Sequence, residues 1–538
     1  MPDDRDGVRP DASCDAATAS DGEPDGDTDA TPGAEPTDDG TIERPTASFG
    51  KALSWSYVAT SSRVVITLVT SLVLARILGP EAFGLVAMAL AFVAFVELLV
   101  RQGMMPAIVQ HRTLTTGHLD AAFWLTTGAA LVLTPIVLAL SGWWAGVNDT
   151  PELSPVLRAL SGVIVLKGLS VVQEAHIIRS LDFRVLAMRT SAATVVGGAS
   201  GIVAALGGAG VWALVTQQLV AAALETVLIW RMSEWRPRPR FDRARAAELL
   251  GFSGSTALAS LAVYLQRQAD ALLIGLFFGP LVTGLYRMAA RLVGIGLEVA
   301  SGALRSTFLP ELSRFQDDHD AFLARTVEIL RLSALLAIPL LGGLAAVSAP
   351  LLGLLGEDWL PAVHAVQLMA LLAALHSIAI FTGPILQADG QPGAFAWLTW
   401  ATGLLSVATL VGAGLLIPES DAERTVTLLA GVRTVVLGAG FVIIVVPVLE
   451  RRVGLRPRRL VGAVLPALLA AAAGFGAVFV ARDLGVLPWP RQPLLDLFAS
   501  GVLAVVTMGG TLFALESKTR EYLALARRKL EARNDPVD

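Results

Sequence analysis

The chain has 538 residues, of which 54% are hydrophobic and only 16% charged, with a mean hydropathy of +0.63. Soluble domains carry about a quarter charged residues, so this composition points to one polytopic membrane protein, not several soluble domains. The formal charge of −5 hides two opposite parts: residues 1–50 hold fourteen Asp or Glu against three Arg, a net of −11, leaving +6 for the other 488, which excludes an acidic soluble protein.

Residues 1–48 are built from Asp, Gly, Pro, Thr, Ala and Ser with almost no large apolar side chain. Such a segment buries too little surface to offset its ordering entropy and reads as a disordered acidic tail. No apolar stretch precedes Cys14, which argues against a signal peptide or lipoprotein anchor. Cys14 is the only cysteine, so a disulfide scaffold is excluded as well.

From Phe49 onward the chain is apolar in windows of about 20 residues, the length that crosses a bilayer core. Fourteen spans are expected, at 52–77, 83–100, 120–144, 156–178, 186–206, 210–230, 253–278, 282–306, 327–349, 361–387, 393–417, 425–449, 459–481 and 494–515. The fold expected is all-α and polytopic, with both termini cytoplasmic, because the even-numbered connections collect the arginines. Examples are Arg179, Arg184 and Arg189, six arginines from Arg231 to Arg245, and Arg451, Arg452, Arg456, Arg458 and Arg459. The external loops are all short. Residues 516–538 form an amphipathic cytoplasmic tail lying along the membrane surface.

Residues 75–89, ARILGPEAFGLVAMA, and 275–289, GLFFGPLVTGLYRMA, match at six of fifteen positions, including Gly79/Gly279, Pro80/Pro280 and Gly84/Gly284. Glycine permits a tight turn between two helices, and proline suits the first turn of the second. The copies lie six helices apart and so run the same way, which predicts two six-helix lobes related by an axis along the membrane normal. The lobes are 49–231 and 253–450, joined by a basic linker at 232–252, with two extra helices within 451–515.

An ionisable residue at the bilayer centre costs about 2.5–3.5 kcal/mol and is a candidate functional group. The eighth span carries Arg287, Arg291, Glu298 and Arg305, within about 40° of one another on a helical wheel. The seventh carries Arg267 and Asp270, spaced to pair with each other. The first has Arg63 among Ser56, Thr60, Thr67 and Thr70; Glu97, Lys167, Glu174 and Glu225 fall in the second, fourth and sixth. The candidate cavity residues are Arg63, Glu97, Arg267, Asp270, Arg287, Arg291, Glu298 and Arg305. Each charge taken singly also fits a structural ion pair or an end residue reaching for the interface. Arginine grips phosphate oxygens bidentately and stays charged, so a hydrated cavity lined by arginines points to an anionic, phosphorylated substrate.

LARILGPEAFGL at Leu74–Leu85, RSLDFR at Arg179–Arg184, GAGVWALVTQ at Gly208–Gln217, WRPRPRF at Trp235–Phe241, ADALLIGLFFGPLVTGLYRMAARL at Ala269–Leu292 and FLPELSRFQDD at Phe308–Asp318 together resemble a known group. That group is the polysaccharide exporters and oligosaccharide flippases of the multidrug/oligosaccharidyl-lipid/polysaccharide (MOP) transporter superfamily. The resemblance covers about 50–450 and implies alternating access in the cytoplasmic membrane. Its implied substrate is a polyprenyl-(pyro)phosphate-linked oligosaccharide bound for a surface polysaccharide such as lipopolysaccharide. In similar flippases, arginines of the central cavity hold the pyrophosphate; Arg63, Arg287 and Arg291 occupy fitting positions, and Arg287 and Arg291 align to a motif. The implied partners are the lipid-linked oligosaccharide, the bilayer, and the polymerase and glycosyltransferases of the same pathway. H⁺ or Na⁺ coupling through an acid is open beside a drive by voltage.

Two other functions compete. A multidrug antiporter would use Glu97, Asp270 or Glu298 for cation coupling, but the arginine excess repels cationic drugs. A membrane polymerase or ligase needs a long external loop, which this chain lacks, so a transporter and not an enzyme is expected. No cofactor and no nucleic acid is expected. His111, His118, His176, His319, His364 and His376 show no ligand spacing, so no metal is expected either.

Overall fold

The computed structural model describes residues 49–515 apart from 102–103, 112, 181, 316–317, 419–420 and 488–491, and for some helical stretches, including 49–64, 252–260 and 303–307, the backbone alone. The predicted acidic and amphipathic tails lie outside the described residues. The first half of the chain forms α1 (Phe49–Arg101), α2 (Met104–Gln110), α3 (Thr116–Val147), α4 (Leu153–Leu160), α5 (Gly162–Arg179), α6 (Phe183–Leu206) and α7 (Val211–Met232). The long α8 (Arg243–Leu312) is followed by α9 (His319–Ala346), α10 (Ser348–Gly353), α11 (Val363–Ala379), α12 (Thr382–Ala388) and α13 (Pro392–Leu416). The chain continues through α14 (Ala422–Gly440), α15 (Val446–Val453), α16 (Pro457–Asp483) and α17 (Pro493–Leu515). Aspartates start several of these helices: Asp182, Asp318 and Asp421 each accept a backbone N–H three residues on.

The protein is all-α and polytopic. Among the described residues, 11 helices are long and apolar enough to cross a membrane. Two of these each absorb two expected spans, because α1 and α8 are broken internally at Gly79 and Gly279, where φ is 73° and 74°. The Gly-Pro repeat therefore does form helix-to-helix breaks, with no loop residues between the two segments. The fifth expected span corresponds to α6, which is helical but not among the 11; a count of fourteen is not reproduced on this criterion.

The two largest apolar cores fall mainly in the two halves of the chain, although the larger also takes in Ala75 of α1. One gathers Leu74, Met88, Val156, Ile164 and Leu214; the other, larger, gathers Leu285, Ile338, Phe381, Leu429 and Val464. The outward faces stay apolar, as a lipid-facing surface must: Leu416 is 83% exposed and Phe498 73%. Helix α16 packs on α9, and α17 on α16, so the last two helices extend the second lobe. Close approach there uses small residues: a Cβ on Gly342 would stand 2.7 Å from that of Ala471.

Candidate functional site

The two lobes meet chiefly through α1 and α8, and the repeat supplies the contact. A Cβ on Gly84 would lie 1.7 Å from the Pro280 carbonyl oxygen, and one on Gly284 1.9 Å from that of Pro80. Moving along the helices, Tyr264 donates a 2.8 Å hydrogen bond to the Ala91 carbonyl, and Arg291 donates at 3.4 Å to that of Thr67. Each second segment thus runs antiparallel to the first segment of the other copy, a two-fold arrangement. Near the Gly-Pro breaks the lobes are also latched by Trp359, whose indole N–H donates to the Ala75 carbonyl at 3.0 Å. The same ring meets Phe83 edge-on at 5.8 Å, and Arg76 donates to the Leu354 carbonyl.

Of the predicted stripe on α8, Arg287 and Arg291 are half-buried and within electrostatic reach of each other, with Arg291 reaching across to α1. Glu298 is exposed. The side chains of Arg63, Arg267 and Arg305 lie outside the described residues, so the expected pairing of Arg267 with Asp270 lies outside them too. Among the described residues, Asp270 has a partner that helical spacing did not suggest. Arg433 of α14 binds it at 2.6 Å, donates to the Ser406 hydroxyl at 3.1 Å, and stacks its guanidinium 5.7 Å from the centre of the Tyr286 ring. Sequence reasoning missed Arg433, although it is a lone cation inside an otherwise apolar stretch of α14.

The first lobe holds its own ion pairs. Lys167 of α5 binds Glu225 of α7 at 2.5 Å, and Arg189 of α6 binds Glu174 of α5 at 3.5 Å. Glu97 on α1 is half-buried within reach of Lys167, Glu225 and Arg101. These two pairs follow the structural reading that each single charge also allowed, and Arg287 and Arg291 lie one helical turn apart at the lobe junction. A cavity of about 800 Å³ lies away from them, lined by Trp397, Ile443, Pro447 and Val448 with Arg451 and Arg452.

A third cluster was invisible to spacing rules. His111, His118 and Glu248 converge with potential ligand atoms all within 4.8 Å of one another. Two of the three lie seven residues apart, a separation outside the usual ligand spacings, and the third comes from the start of α8.

The sequence profile of the polysaccharide biosynthesis protein family matches residues 73–364, more than half of the chain. The chain belongs to that family. This polysaccharide biosynthesis family member is 27% identical over 352 residues to the succinoglycan biosynthesis transport protein ExoT of Rhizobium meliloti strain 1021, covering 65% of this chain and 70% of ExoT. It is 25% identical over 362 residues to the lipopolysaccharide biosynthesis protein WzxC of Escherichia coli strain K12, covering 66% and 74%. Among solved structures, the lipid II flippase MurJ in an inward closed conformation superposes with a TM-score of 0.66 at 12% identity, over 85% of this chain and 97% of MurJ. An inward-facing multidrug resistance MATE transporter of the MOP superfamily superposes at 0.50 and 14% identity, over 79% and 99%. At such identities the likeness is one of fold. The fold expected from the MOP resemblance holds, and the family member is a multi-pass, all-α membrane protein of the polysaccharide biosynthesis class.

Proposed function

We propose that the chain flips a polyprenyl-(pyro)phosphate-linked oligosaccharide across the cytoplasmic membrane, with both termini on the cytoplasmic side. The observation that carries this reading is the pair Arg287 and Arg291, half-buried where α8 crosses α1, with Arg291 contacting the other lobe. Two guanidinium groups one helical turn apart at a lobe junction can receive an anion between them, and guanidinium groups match phosphate oxygens bidentately. The lobes rock about the repeat axis while the lipid tail stays in the bilayer and the headgroup passes between them. Naming of two relatives for succinoglycan transport and lipopolysaccharide biosynthesis supports a glycan substrate. The antiporter reading loses one of its carboxylates, since Asp270 is engaged by Arg433.

The test is surface polysaccharide in cells carrying Arg287→Ala or Arg291→Ala, each present in the membrane at the normal level. Loss of export with finished lipid-linked repeat units retained on the cytoplasmic leaflet is expected. Full export in both variants overturns the headgroup role, and unchanged glycolipids with altered drug sensitivity favour the antiporter.

A further inference from the structure

At the end of the molecule that carries the basic linker, three segments distant in sequence are held together. The guanidinium of Arg179, buried at the end of α5, donates to the carbonyls of Ile108, Val109 and His111 at 3.1, 3.2 and 2.7 Å, capping α2. The linker returns onto the same face: Asp120 accepts the Arg238 N–H at 3.0 Å, and the Trp124 indole donates to the Arg238 carbonyl at 2.8 Å. Leu249, fully buried, packs with Met104, Ile108, Leu114 and Phe123. This scaffold fixes His111 after α2, His118 in the first turn of α3, and Glu248 in the second turn of α8.

We infer that His111, His118 and Glu248 form a binding site for a zinc-like divalent transition-metal ion, which braces the inter-lobe linker against the first lobe. The donor set is two imidazoles and one carboxylate, a combination that suits Zn²⁺ and disfavours Mg²⁺ and Ca²⁺, which take oxygen ligands. The Glu248 oxygens stand 3.0 Å from His111 Nε2 and 3.2 Å from His118 Nε2. Ligand atoms bound at about 2.0–2.1 Å around a tetrahedral zinc lie roughly 3.3 Å apart, so the ion needs side-chain adjustment only. His118 is also held from behind: its Nδ1 accepts the Thr115 backbone N–H at 3.2 Å and lies 2.8 Å from the Thr115 hydroxyl, so a metal on Nε2 requires the ring proton to move to Nδ1, where that hydroxyl can accept it. The imidazoles are mostly buried, at 14% and 8% exposure, while Glu248 is 57% exposed. That asymmetry gives the ion a route in and leaves its remaining position to water. The site is independent of the arginine pair and of the proposed substrate.

The experiment uses the full chain purified in detergent without an affinity tag, carrying Cys14→Ser to remove the lone thiol, and stripped with chelator. Zn²⁺ is titrated against a competing chelator in excess Mg²⁺, which occupies the acidic tail. One tightly held Zn²⁺ per chain and a rise in Tm are expected, with X-ray absorption reporting two imidazoles in the coordination shell. Glu248→Gln, an exposed change that leaves folding intact, is expected to weaken Zn²⁺ by roughly tenfold or more, the scale on which metal sites lose affinity when their support is removed. His111→Ala/His118→Ala abolishes tight binding. Absence of tight Zn²⁺ in the parent chain, or tight binding unchanged in the Glu248→Gln and double-histidine variants, overturns the assignment.

Discussion

Gly84 and Gly284 face each other across the lobe junction so closely that the backbone nitrogen of Gly284 stands 2.8 Å from where a Cβ on Gly84 would be, and that of Gly84 3.1 Å from a Cβ on Gly284. The obstructing atoms are backbone, of Pro80 and Pro280 as well, and cannot rotate away. A methyl at either position must therefore separate the helices. Overpacking of this kind costs about 1–3 kcal/mol. Gly84→Ala and Gly284→Ala are each expected to lower the Tm of the purified protein. The double variant should cost less than the two single losses added, because one separation of the helices relieves both clashes. Full additivity would show that the two glycines do not share one contact.

The latch beside that crossing is expected to set how readily the Gly-Pro end opens. Trp359→Phe keeps the ring against Phe83 but deletes the hydrogen bond to the Ala75 carbonyl. A lost hydrogen bond of this type is worth about 1 kcal/mol, or roughly a fivefold shift in a two-state equilibrium. With a single reporter cysteine at Ala82 in a Cys14→Ser background, the labelling rate should rise in Trp359→Phe by up to that factor. An unchanged rate would mean that the latch does not limit opening.

The Asp270–Arg433 pair is expected to be structural. Its side chains are 16% and 10% exposed. Arg433→Ala strands a carboxylate, at a cost on the order of 3 kcal/mol for a buried pair broken on one side. Arg433→Gln with Asp270→Asn removes both charges and keeps polar contact, so most of the Tm loss should return. If Asp270→Asn alone left Tm unchanged but abolished transport, the acid would be functional and not merely a partner for Arg433.

The Gly-Pro repeat was legible because backbone demands leave residue signatures: positive φ at Gly79 and Gly279 needs glycine, and the close crossing needs Gly84 and Gly284. The resemblance to flippases was legible too, since it rests on runs of adjacent residues. Pairings across the fold were not. Asp270 had a neighbour at helical spacing in Arg267, so local periodicity offered a partner, whereas Arg433 lies 163 residues away. Glu248 lies 137 residues from His111 and 130 from His118, and no spacing rule spans such distances. Arginines read as topology markers also have local work, as Arg179 shows by capping α2. Charge counting sees the sign of a residue and not the carbonyls it satisfies.

The driving force of transport gives a further prediction. Under the proposed function, the pyrophosphate-linked substrate carries negative charge while Arg287 and Arg291 remain on α8, so each cycle would move net negative charge outward. An inside-negative potential favours that movement by about 2.3 kcal/mol per charge per 100 mV. In proteoliposomes, translocation should therefore speed up when a potassium gradient makes the side of the basic loops negative, with no pH gradient imposed. Glu97 is the described acid closest to a coupling role, half-buried within reach of Lys167 and Glu225 in the first lobe. Under a drive by voltage alone, Glu97→Gln retains the acceleration. Loss of the voltage response in Glu97→Gln, together with a parent rate that follows an imposed proton or sodium gradient at zero potential, would assign the drive to cation coupling through that carboxylate.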